Sequence, residues 1–74
     1  MQKLTSVQAS VLRRLAREPE MRATVGVGLP FRCNRITARS LIELGLITGT
    51  VRFDREPYTI TLVAAGAEWV RDHP

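Results

Sequence analysis

The spacing of apolar residues changes period along this chain, and that change decides what it can fold into. Val7, Val11, Leu12 and Leu15, and later Leu41 and Leu44, recur at the spacing of one helix face. From Tyr58 the pattern alternates instead, with Tyr58, Ile60 and Leu62 set between Thr59 and Thr61. That period buries one face of a strand and wets the other. The chain therefore reads as α+β, a small helical core carrying a two-stranded β-hairpin and a C-terminal helix.

Punctuation places the elements. Leu4 to Glu18 reads as a helix, opened by Thr5 with Gln8 as a capping box and stopped by Pro19. A short strand is expected at about 23–27, before a turn at Gly28 and Pro30. Gly26-Val27-Gly28 lacks the Lys-Ser/Thr of a phosphate loop, so nucleotide binding is not expected. Asn34 to Leu44 is the second helix, with Asn34 or Thr37 as N-cap and Gly45 just past its end. At 100° per residue Thr37, Leu41 and Leu44 share its core face, while Arg35 and Arg39 project together from the opposite one, with Ile42 beside them. Thr48 to Phe53 and Tyr58 to Val63 form the hairpin around Asp54-Arg55-Glu56-Pro57, and Ala64 to Asp72 closes the chain with Trp69 and Val70 packed back on the body.

A chain of 74 residues with ordinary apolar content suits one domain spanning 1–74. Cys33 and His73 are the only residues of their types, which removes an intramolecular disulfide, a Ser/His/Asp constellation and a ligand-spaced metal cluster. Cys33 reads as a small buried or half-buried hydrophobe. Glu43, the Asp54/Glu56 turn and Glu68 fall on separate elements with nothing to mark a general acid/base pair, so no enzyme, metal or cofactor is expected. No apolar run approaches the roughly 20 residues of a membrane span and no signal segment opens the chain, which predicts a soluble, cytoplasmic protein. Charge is unevenly spread. Residues 1–42 carry eight cations against two carboxylates, a net +6, and residues 43–74 carry three against five, a net −2. Ten of the eleven cations are Arg, the side chain suited to bidentate contact with phosphate.

The order helix, short strand, helix, hairpin, helix resembles a winged helix-turn-helix domain. The stretch Ile36-Thr37-Ala38-Arg39-Ser40-Leu41-Ile42-Glu43-Leu44-Gly45-Leu46-Ile47 is similar to the recognition helix of MarR- and PadR-like regulators and its exit into the wing, and Tyr58 through Gly66 resembles their second wing strand and last helix. Two places depart from that pattern. Val63 stands where the family usually has a capping Thr, and only Leu29 to Cys33, a single turn, is left for the helix that precedes the recognition helix.

The resemblance implies a small DNA-binding transcriptional regulator that forms a homodimer. Arg35 and Arg39, with Asn34, would then meet base edges or phosphates, Arg52 and Arg55 the flanking backbone or minor groove, and Arg13 and Arg14 further phosphates. The alternative is a protein-binding winged-helix module, such as a phage-type inhibitor docking on a larger host complex. In either case Ile42 and Trp69 are the candidate interface residues.

Overall fold

The computed structural model describes residues 3–49 and 57–74. They form α1 (Ser6–Ala16), a 3₁₀ turn (Pro19–Met21), β1 (Arg22–Val25), α2 (Arg35–Glu43), β2 (Ile47–Gly49), β3 (Tyr58–Leu62) and α3 (Ala64–Asp72). Both halves of the expected capping box open α1. Thr5 Oγ1 accepts from the Gln8 N–H at 3.1 Å, and Gln8 Oε1 accepts from the Thr5 N–H at 2.9 Å. The helix ends at Ala16, two residues short of expectation, because Pro19 disfavours helical backbone at Glu18, which is extended at φ −77°, ψ 150°.

Asn34, rather than Thr37, caps α2, its Oδ1 accepting from the Ile36 N–H at 2.7 Å. The far end closes as a Schellman motif. The Leu46 N–H donates to the Leu41 carbonyl at 3.1 Å and the Gly45 N–H to the Ile42 carbonyl at 3.0 Å. That geometry requires the left-handed backbone that Gly45 adopts at φ 76°.

All three expected strands pair into one sheet, where the sequence pattern predicts pairing only between the two strands of the hairpin. β3 lies in the centre, antiparallel to β1 on one side and β2 on the other. β1 joins because its alternation matches that of β3. Ala23 faces Ile60 and Val25 faces Tyr58, and all four are buried on one side of the sheet. The strand stops at Val25, two residues before the expected end, where the chain turns with the Leu29 N–H bonded to the Gly26 carbonyl at 3.1 Å. β2 begins at Ile47, one residue earlier than expected; the rest of the Thr48 to Phe53 strand and most of the Asp54 to Pro57 turn lie outside the described residues.

Leu12 and Leu15 of α1, Leu41 of α2, Ile60 of β3 and Phe31 fill the centre of the core. Two expectations about helix faces shift. Val7 does not join the α1 stripe and is 57% exposed, and the α2 stripe runs through Ala38 and Leu41 while Thr37 and Leu44 are half-buried.

The expected helical turn at Leu29 to Cys33 is absent, and residues 29–34 are irregular. Pro30 biases Leu29 away from helical backbone and lacks an N–H. The segment is held by long-range contacts. Phe31 inserts into the core, Arg14 Nη2 donates to the Pro30 carbonyl at 2.9 Å with its guanidinium 5.0 Å from the Phe31 ring centroid, and the Tyr58 hydroxyl donates to the Cys33 carbonyl at 3.0 Å.

α3 starts at Val63 with no side-chain cap, as the missing Thr implies. Its first turn rests on the exit of α2. The Val63 N–H donates to the Leu46 carbonyl at 3.3 Å, and buried Gly66 lies against the same carbonyl, where a Cβ would collide with the oxygen.

Candidate functional site

Without a preceding helix to set its angle, α2 is tied directly to α1. Gln8 Nε2 donates to Ser40 Oγ at 2.9 Å, and the Ser40 hydroxyl donates to the Thr37 carbonyl at 2.7 Å. Gln8 thus caps α1 and positions α2 with one side chain. With Ala38 and Leu41 buried, the outward face of α2 presents Arg39, Ile36 and Glu43, with half-buried Arg35 at its first turn. Ile36 is 71% exposed. Arg39 Nε lies 3.8 Å from Glu43 Oε1 with both side chains more than half exposed, an i,i+4 pair of at most about 1 kcal/mol that a phosphate can displace. The Oδ1 of Asn34 is committed to its cap, so any contact Asn34 makes with a ligand goes through the other end of its amide.

Arg13 and Arg14, assigned to phosphate on the sequence pattern, are engaged within the fold. Arg13 Nε donates to the His73 carbonyl at 3.0 Å and its guanidinium lies 5.5 Å from the Trp69 ring centroid. Arg14 holds Pro30 and Phe31 as described. Arg14 is exposed and Arg13 half-buried, and each ties α1 to a distant stretch of the chain. Arg52 and Arg55 lie outside the described residues. Of the two interface candidates, Ile42 is half-buried against the core, and Trp69 is half-buried beneath Arg13 and stacked on His73 at 4.3 Å. Among the described residues the exposed large apolar side chains are Val7, Met21, Val27 and Ile36.

No family model, curated protein or solved structure matches this chain. Its own chemistry is what remains to weigh. Among the described residues no three His, Cys, Asp or Glu side chains come together as a metal site needs, and no helix is long and apolar enough to cross a membrane. Burial pushes the Cys33 thiol above its ordinary pKa, against a smaller opposing effect of a backbone hydrogen bond from Ala38. A thiol held protonated is a poor nucleophile.

The sequence places Ile36 only within the helix, yet it is the exposed large apolar side chain of α2. The signal was present. Its neighbours in the three- and four-residue rows of α2 include Arg39, not core positions alone. Arg32, in the strap that enters α2, was counted as charge and given no role; it is exposed.

Proposed function

We propose that this chain is a small winged-helix regulator that binds duplex DNA with the outward face of α2. The observation that carries the reading is the placement of exposed Ile36 and Arg39, with half-buried Arg35 beside them, on the N-terminal half of one helix. The N-terminal residues of a recognition helix are those that reach base edges. Arg39 offers a planar fork to guanine or phosphate, and Ile36 offers apolar surface to a thymine methyl. The sheet order β1-β3-β2 with three helices, and the exit of α2 into β2 through Gly45, are compatible with the winged-helix resemblance. The net +6 of residues 1–42 supplies long-range attraction to the polyanion.

A protein-binding module is the second reading, favoured by the absence of a helix among residues 26–34 and by the exposure of Val7 and Val27. Quantitative binding of a selected site and of random duplex separates the two. Arg39→Ala should weaken the selected site by roughly 1 to 3 kcal/mol more than random DNA if it reads a base. Equal losses on both would remove Arg39 from base readout, and no binding of either duplex would leave the protein-binding reading.

A further inference from the structure

Between the start of α1, the turn after β1 and the strap into α2 lies an open groove of about 450 Å³ that the DNA reading does not use. Its floor is apolar and buried, made by Val11, Val25 and Phe31, and its lips are Val7 and Val27. Val27 is held out at the tip of the Gly26–Leu29 turn and is 93% exposed. A valine so placed gains only by covering its area with something else.

Charge identifies the kind of occupant. Among the described residues the groove is lined by one cation, Arg32, and by no carboxylate. Arg14 reaches over the ring of Phe31. The first turns of α1 and α2 both border the groove, through Val7 and Asn34, and neither carries an acidic residue to offset its partial positive charge. A second copy of this chain would bring the same basic rim against itself, which costs binding energy. We infer that this groove receives an acidic, apolar-rich segment of a partner protein, its large apolar side chains between Val7 and Val27 and its carboxylates against Arg32. The inference does not depend on DNA binding, since Arg35, Ile36 and Arg39 do not line the groove and only Asn34, whose Oδ1 caps α2, borders both surfaces.

The test is a displayed random-peptide library selected on the full chain, followed by anisotropy titration of the enriched peptide. The selection should enrich peptides that combine Asp or Glu with bulky apolar residues. Val27→Ser should lower their affinity about tenfold, the worth of one valine buried on binding. Arg32→Ser should lower it severalfold and flatten its salt dependence. Arg39→Ala should leave it unchanged, and Val27→Ser should leave DNA affinity and the circular dichroism spectrum as they are. No enrichment, enriched peptides without acids, or full binding to Val27→Ser would each overturn the inference. So would a dimer that Val27→Ser converts to monomer, which would give the groove to a second copy, or a parallel loss of DNA affinity, which would give it to the DNA face.

Discussion

Arg14 shows how one side chain replaces a missing element. Its guanidinium bonds the Pro30 carbonyl and lies over Phe31, so it pins the strap that stands where a helix was expected. Arg14→Ala should destabilise the protein by about 1 kcal/mol through the lost charge-assisted bond and cation–π contact. Arg14→Lys, which keeps the charge without the planar fork, should recover only part of it. Chemical denaturation of the two variants checks this; equal stability of Arg14→Ala and the parent would mean the strap holds through Phe31 and Tyr58 alone. Cys33 makes a pH prediction at the same scale. Its thiol pKa is raised, chiefly by burial, so the unfolded chain loses this proton at lower pH than the folded one. The thiol's contribution to stability is therefore intact below its ordinary titration range and is lost as pH climbs through the raised value. Cys33→Ala should flatten that alkaline decline in a series of denaturation curves, and a decline of unchanged steepness would assign it to other groups.

Gly66 carries the clearest prediction among the elements. In an open helix, glycine to alanine gains about 1 kcal/mol from propensity. Here the added methyl would strike the Leu46 carbonyl oxygen and approach Leu62 Cδ1 at 2.6 Å, so Gly66→Ala should instead cost about 1 to 3 kcal/mol as α3 is lifted from the exit of α2. A thermal melt gives the sign, and a raised midpoint would show that α3 shifts without penalty. Which elements were legible in the sequence follows from the range of the interactions that make them. The Thr5/Gln8 box, the Asn34 cap, the Gly45 exit and the alternation of β3 are each written within a few neighbouring residues, and each was readable. Pairing of β1 with β3 joins Val25 to Tyr58, far apart in the sequence, and no local pattern states it. The strap is illegible for the same reason: its own Phe31 enters the core, and Arg14 and Tyr58 hold it from two distant stretches. At the candidate site, spacing alone placed Arg35 and Arg39 together, whereas the partners that engage Arg13 and Arg14 come from α3 and the strap.

At the scale of the molecule, the two tethers from α1, Gln8 to Ser40 and Arg14 to Pro30, fix α2 with its Arg35, Ile36 and Arg39 face outward. The +6 of residues 1–42 against −2 for the remainder gives the chain a charge asymmetry suited to a polyanion. The account stands or falls on whether that face binds duplex DNA electrostatically. The most direct measurement is the salt dependence of duplex binding by the full chain, set beside Arg35→Ala and Arg39→Ala. Binding should be detectable at low salt and weaken steeply, with a log–log slope of about −0.9 for each phosphate contacted, and each variant that loses a phosphate contact should reduce the slope by about one. Absence of binding at low salt, or binding whose slope neither variant changes, would contradict the assignment of α2 as the DNA-contacting face.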